Sequence, residues 1–146
     1  MNLMDLFEAG GQPIYYFAYG MLTDPEIMSG IDLVGVGELH NFRYEMYAYA
    51  NVTPEPGSTV YGCLWAVDRQ IISRLDNIEG YPSLYDRRTY PVYVDGEKYA
   101  AEVYVMTPQT VQQMQGNSPS PGYVDKIVRG YKHAGVPLEQ LKKALQ

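Results

Sequence analysis

The apolar positions of the chain change period several times, and each change marks a predicted element. Short apolar runs and alternating patterns predict strands at 14–18, 34–39, 44–50, 60–67, 89–94 and 98–106. The Asp95-Gly96 pair between the last two predicts a hairpin. Proline and glycine predict a loop at 53–58, and Gly62 inside a strand predicts a bulge or a close approach of another backbone.

A helical period predicts the remaining elements. The clearest helix covers 69–78, where Asp68 can cap the start and Gly80 can end the last turn. Its predicted buried face is formed by Ile71, Ile72, Leu75 and Ile78. A capping pattern around Asp24 predicts a short helix at 24–29. Further helices are predicted at 108–115, from 121 to a break at 135, and at 138–145.

These elements combine into an α+β domain with a largely antiparallel, barrel-like sheet and helices packed outside it. The chain has 146 residues, which is long enough to bury a core without disulfides or metal ions. We therefore predict a single domain over 1–146, in which 1–13 form an N-terminal extension.

The composition of the chain indicates which classes of partner and which cellular compartment to expect. The net charge is −6 and there is no run of Lys or Arg, which argues against nucleic acid and anionic membranes. No segment approaches the roughly 20 apolar residues that span a bilayer. The single cysteine, Cys63, cannot form an internal disulfide, and the start of the chain lacks the pattern of a signal peptide. We expect a cytoplasmic protein, monomeric or homodimeric, without nucleic-acid or membrane partners.

Few side chains of the sequence are candidates for catalysis or for metal binding. His40 and His133 are the only histidines, and their separation fits neither a zinc site nor a Ser-His-Asp triad. Cys63 lies in a strand pattern and is interpreted as a packing residue. No nucleotide-binding motif occurs, so we expect no cofactor and no metal. An enzyme built on this chain would therefore depend on a carboxylate and on backbone donors. Glu79, at the end of the predicted helix 69–78, is a candidate carboxylate, but its spacing alone predicts an exposed residue at a frayed helix end.

Tyrosine is over-represented, with 15 residues against three phenylalanines. Most of them fit half-buried strand positions, where the ring packs and the hydroxyl reaches a polar partner. A few can line a polar cavity. In the segment YFAYGML at 16–22, Gly20 follows a predicted strand and has no Cβ to keep a ligand away from the backbone N–H groups.

Five segments carry a family resemblance. They are YFAYG at 16–20, VYGCLWAVD at 60–68, LDNIEGYPSLYDRR at 75–88, YVMT at 104–107 and PSPGYVDKIVRGYKHAGVP at 119–137. In this order they resemble the γ-glutamylcyclotransferase-like, or AIG2-like, proteins over most of the chain. The last segment is similar to the branch that acts on γ-glutamyl amino acids. The resemblance implies a small mixed, mostly antiparallel β-barrel surrounded by helices.

The resemblance also implies an activity and a site. The implied enzyme converts a γ-glutamyl amino acid or amine to 5-oxoproline and the free amine, in glutathione metabolism, with Glu79 as general acid and base. The substrate-binding positions that the resemblance implies are Phe17, Ala18, Tyr19, Gly20, Met21, Leu22, Tyr85, Tyr104 and Tyr123. The glutathione-related branch has Ser-Asn where this chain has Met21-Leu22, so the leaving group stays open.

Two alternatives remain at this point. The same barrel can serve as a catalytically silent module that binds a small molecule or a protein, because a fold does not determine a function. The enzyme can also act on γ-glutamyl amines or on a γ-glutamyl-protected metabolite. From the residues alone, Tyr123 is as well explained as a hydrophobic anchor at the start of a helix as it is by a substrate contact.

Overall fold

The structure is a computed structural model that describes residues 12–146. Its centre is a closed β-barrel with the strand order β1-β3-β2-β4-β5. Neighbouring strands are antiparallel, except that β5 closes the barrel by pairing in parallel with β1. The strands are β1 (Ile14–Ala18), β2 (Asp32–Met46), β3 (Ala50–Val67), β4 (Tyr85–Val94) and β5 (Glu97–Met106). The predicted mixed, mostly antiparallel barrel is confirmed.

Four α-helices lie outside the strands and begin and end where the sequence predicted to within a few residues. They are α1 (Arg69–Glu79), α2 (Pro108–Met114), α3 (Pro121–Ala134) and α4 (Glu139–Ala144). The Asp68 carboxylate accepts the Ile71 N–H at 2.8 Å at the start of α1. Gly80 ends the helix in the left-handed conformation, with φ of 66°. Ile78 was wrongly predicted on the buried face and is 69% exposed, whereas Ile72 and Leu75 are buried.

The sequence prediction was wrong along the β2–β3 hairpin. The segment predicted as a strand at 34–39 and the first part of the one at 44–50 form one continuous strand, β2, with register shifts after Leu33 and His40. Residues 47–49 are instead the bend of the hairpin, and Ala50 begins β3. The predicted loop at 53–58 lies inside β3, where Pro54 pairs with Phe42 beside the second shift. Residues 55–58 have no pairing partner in β2 and form the irregular part of this shift, and the pairs on both sides of them keep the segment within the strand.

The predicted helix at 24–29 is also wrong. A short 3-10 helix, Met21–Thr23, is followed by turns instead. The cause is the Asp24 side chain, which is only 2% exposed and accepts the Glu26 N–H at 3.0 Å in a turn. Asp24 also lies 3.2 Å from His133 on α3, so this segment is held against α3 as a turn.

The core fills the barrel and the space beneath the helices. Trp65, Phe17 and Leu64 are among its largest fully buried side chains, and Tyr131 and Ile127 bring α3 into it. Residues 1–11 of the predicted N-terminal extension lie outside the described residues. Among residues 12–146, no helix is both long and apolar enough to cross a membrane.

Candidate active site

Glu79 is the last residue of α1 and points its carboxylate into a partly buried space. The helix ends immediately after it, because Tyr81 N–H donates to the Asp76 carbonyl at 2.9 Å around the left-handed Gly80. Burial raises the pKa of Glu79 from 4.5 to about 7. The negative end of the helix dipole disfavours its charge further.

Four tyrosines lie near this carboxylate, three of them buried and Tyr123 partly buried. Burial raises the pKa of each of their phenols, and the charge of Glu79 raises it further; they are Tyr16, Tyr19, Tyr85 and Tyr123. Three of them were predicted as site residues, and Tyr16 was not. The apolar run that predicts β1 gives no reason to choose Tyr16 as a site residue, since residues 16–18 are all buried alike. Tyr104 joins the group through its ring, which lies edge-on to Tyr16 at 5.9 Å.

The backbone of one residue, Ala50, holds the hydroxyls of two of these tyrosines in place. Tyr85 donates to the Ala50 carbonyl at 2.7 Å, and Tyr123 accepts the Ala50 N–H at 3.2 Å. Tyr85 has therefore used its proton. Because Tyr123 acts as the acceptor in its bond, its own proton remains available to a ligand.

Tyr104 is fixed by an ion-pair network at the side of the site. Its hydroxyl donates to the Asp76 carboxylate at 2.7 Å, and Arg87 donates to the same carboxylate at 2.6 Å. Arg87 also reaches Glu102 at 3.2 Å. Asp76 lies one helical turn before Glu79, so the network ties the end of α1 to strands β4 and β5. The predicted substrate contact of Tyr104 is thus limited to its ring and its remaining lone pair.

The loop from Tyr19 to Leu22 has its carbonyls fastened to the scaffold. The Tyr131 hydroxyl donates to Tyr19 O at 2.6 Å, and the Trp65 indole donates to Leu22 O at 3.1 Å. The carbonyls of the two residues between them accept bonds from Thr23 and Asp24. With every carbonyl engaged, the N–H groups of the loop are the polar groups left to meet a ligand.

Gly20 faces the tyrosines. A Cβ on this residue would lie 3.6 Å from the Tyr123 hydroxyl. A side chain at position 20 would therefore project toward the hydroxyl whose proton is available to a ligand. Phe17 and Ala18 precede the loop as fully buried parts of β1. The structure therefore brings the loop, Tyr123 and Glu79 to one end of the barrel.

Two further groups of reactive side chains lie close to the loop but do not add to this chemistry. Burial raises the pKa of Cys63 to about 12, which keeps it a thiol. Asp24, Glu26 and His133 place potential ligand atoms within 4.8 Å of one another. The Arg129 guanidinium, however, forms ion pairs with both carboxylates of that group, and its positive charge opposes a cation there.

The comparisons with known proteins decide the family. The family model described as "Gamma-glutamyl cyclotransferase, AIG2-like" matches residues 16–124. The chain belongs to this family. The match covers β1, the loop, Glu79 and the start of α3, so it includes every element that contributes to the site.

Relatives and solved structures agree with this membership. The chain is 29% identical to a gamma-glutamylcyclotransferase of Bos taurus, over 95% of the chain and 81% of that protein. It is 27% identical to the Mus musculus protein of the same name, over 91% and 78% of the two lengths. A solved structure named "Gamma-glutamyl cyclotransferase" is 25% identical and superposes with a TM-score of 0.75, covering 92% of this chain and 89% of its own. The resemblance, the fold and the cyclotransferase class predicted from the sequence are confirmed.

Proposed function

We propose that this cyclotransferase converts a γ-glutamyl amino acid or amine to 5-oxoproline and a free amine, with Glu79 as the general acid and base. The observation that carries the proposal is a carboxylate buried among tyrosines with a pKa of about 7. A group with this pKa exchanges protons readily near neutral pH. We further propose that the protein works in the cytoplasm on small γ-glutamyl compounds of glutathione metabolism.

The reaction needs no nucleophile from the protein. The α-amino group of the substrate has a pKa near 8 and is largely protonated at neutral pH. Glu79 accepts a proton from it, and the free amine attacks the γ-carbonyl carbon of its own molecule. A new C–N bond closes the five-membered lactam while the bond to the leaving nitrogen breaks. Glu79 delivers this proton to the leaving nitrogen and then transfers, in the same way, the second proton that the ring nitrogen loses on becoming an amide. The amine leaves as an ammonium ion, and the carboxylate ends as it began.

The loop supplies donors for the negative oxygens of the substrate. Backbone N–H groups between Tyr19 and Leu22 can bind its carboxylate or the oxyanion that develops on the γ-carbonyl. The bonds that hold the loop carbonyls keep these donors oriented before the substrate arrives. The available proton of Tyr123 adds a donor next to Gly20 of the loop. Ring closure requires a folded substrate, and groups fixed in this way favour that conformation.

The leaving group is predicted to be small or apolar. Met21 and Leu22 stand where the glutathione-related branch has polar residues, so we expect higher kcat/KM for γ-glutamyl-alanine and for γ-glutamyl compounds of apolar amines than for glutathione. The experiment is a panel of γ-glutamyl compounds assayed for 5-oxoproline. A clear preference for glutathione would reject this specificity, and absence of turnover across the whole panel would reject the proposed function.

Tyr123→Phe is expected to lower kcat/KM several-fold, because the loss of one neutral hydrogen bond amounts to about 1 kcal/mol. The sequence suggested little effect on stability. The structure changes that expectation, since the Ala50 N–H loses its acceptor, and the free energy of unfolding should fall by about 1 kcal/mol as well. Steady-state kinetics and denaturant unfolding measure both effects. Unchanged kinetics in the folded variant would leave Tyr123 as a packing residue only.

A further inference from the structure

Tyr49 is an exposed aromatic residue beside the candidate active site. It lies in the bend between β2 and β3, where the Tyr47 N–H donates to the Tyr49 carbonyl at 3.1 Å. Although this bond fixes the bend, the residue remains 50% exposed. An aromatic ring with a free face is a common means of binding an apolar group of a ligand. Its position relative to the site therefore decides what it can do.

Two contacts hold this ring next to the tyrosines of the site. The ring of Tyr49 lies edge-on to that of Tyr123, with 5.5 Å between the centroids and 89° between the planes. The next residue, Ala50, donates its N–H to the Tyr123 hydroxyl at 3.2 Å and accepts the Tyr85 proton at 2.7 Å. Burial raises the pKa of Tyr85 and of Tyr123, and the nearby Glu79 and Tyr49 raise it further. Tyr49 thus lies beside the same phenols that lie near the catalytic carboxylate.

The exposure of these tyrosines increases toward Tyr49. Tyr85 is buried, Tyr123 is partly buried and Tyr49 is half exposed. The glutamyl part of the substrate carries the reacting amine and the γ-carbonyl, so it has to lie beside Glu79. Because the buried tyrosines close the inner side of the site, the leaving group on that carbonyl extends toward solvent. The free face of the Tyr49 ring borders this outer side.

We propose that the Tyr49 ring binds the side chain of the leaving amino acid or amine, and that it makes the enzyme select bulky apolar and aromatic leaving groups. This inference rests on the proposed function. A tyrosine ring offers a large contact area at a low cost in conformational entropy. Its contact with Tyr123 orients the ring before the substrate arrives, which reduces the cost of binding further.

The test compares two substrates that differ only in the side chain of the leaving amino acid. Wild type, Tyr49→Ala and Tyr49→Phe are assayed for 5-oxoproline on γ-glutamyl-phenylalanine and on γ-glutamyl-alanine. Wild type should have a several-fold higher kcat/KM on the phenylalanine compound. Tyr49→Ala should lower the ratio of the two kcat/KM values about tenfold, mostly through a higher KM for γ-glutamyl-phenylalanine. Tyr49→Phe keeps the ring and should retain the wild-type ratio within twofold.

Tyr99→Ala is the matched control. Tyr99 is a partly buried tyrosine whose ring lies edge-on to that of Tyr15 at 4.9 Å, which is the same kind of contact that Tyr49 makes. It lies near the start of β5, whereas Tyr104, which contacts the site, lies near the end of that strand. Tyr99→Ala should leave the ratio unchanged, whatever its effect on stability. A comparable fall of the ratio in this control would overturn the inference.

The remaining outcomes separate this inference from the proposed function. Equal losses of Tyr49→Ala on both substrates would mean that the ring acts only by packing against Tyr123, and the inference would fail. Unchanged kinetics of Tyr49→Ala on both substrates would also overturn it, while wild-type turnover would still support the proposed function. A wild-type protein that converts neither substrate nor any other γ-glutamyl compound of the panel would reject the proposed function and this inference with it.

Discussion

Glu79→Gln is expected to lower kcat by roughly 10²–10⁴-fold while substrate affinity largely survives, because the amide keeps the shape of the side chain but cannot accept the proton. The measurement is 5-oxoproline production at saturating γ-glutamyl-alanine. Glu139→Gln is a matched control, since Glu139 is an exposed residue in the first turn of α4, and its turnover should equal that of wild type.

The same variant should gain stability in a pH-dependent way. The pKa of Glu79 lies at about 7 in the folded protein against 4.5 for the free side chain, so its ionisation opposes folding increasingly between these values and fully above them. Glu79→Gln should therefore melt several degrees above wild type at pH 8, and the difference should disappear near pH 4. Near-normal turnover by Glu79→Gln would exclude Glu79 as the base. Wild type that binds γ-glutamyl compounds without converting any would instead favour a silent binding module.

Gly62→Ala is expected to cause the largest loss of stability. A Cβ at this position would lie 2.2 Å from the Ala18 carbonyl oxygen and 2.9 Å from the Phe17 ring. Backbone cannot yield as a flexible side chain can, so we expect a loss of about 3 kcal/mol in the free energy of unfolding. Displacement of Ala18 would also shift the loop that follows it, and activity should fall with stability.

Gly122→Ala is the control for this substitution. A Cβ on Gly122 meets nothing within 4 Å, and alanine favours the first turn of α3 in which it lies. Its free energy of unfolding should equal or exceed that of wild type. Denaturant unfolding of both variants makes the comparison, and a Gly62→Ala protein as stable as wild type would show that β1 and β3 can separate without penalty.

The sequence predicted those parts of the fold that local chemistry determines. Helix α1 is an example, because an Asp cap, an apolar stripe and a terminal glycine lie within 13 residues of one another. The continuous β2 and β3 strands could not be predicted in this way. Pro54 has a loop preference of its own, and only its pairing with Phe42, on a strand that precedes it in the chain, keeps it extended. The local sequence likewise predicts Asp24 as a helix cap, because its contact with His133 on α3 is a tertiary one.

The candidate site likewise combines features that the local sequence predicts with features that depend on tertiary contacts. Spacing alone made Glu79 an exposed residue, and only the family resemblance marked it as catalytic. Its burial comes from tyrosines on β1, β4 and α3, which no local pattern connects with the end of α1.

The bonds that hold the loop join distant parts of the chain. Tyr19 O is fastened by Tyr131, 112 residues later, and Ala50 N–H by Tyr123, 73 residues later. Contacts of such long sequence separation form late in folding because the entropy of closing large loops has to be overcome first. During synthesis the barrel strands can therefore emerge before any site exists. A nascent chain can complete its set of donors around the buried carboxylate only after α3 has emerged and docked.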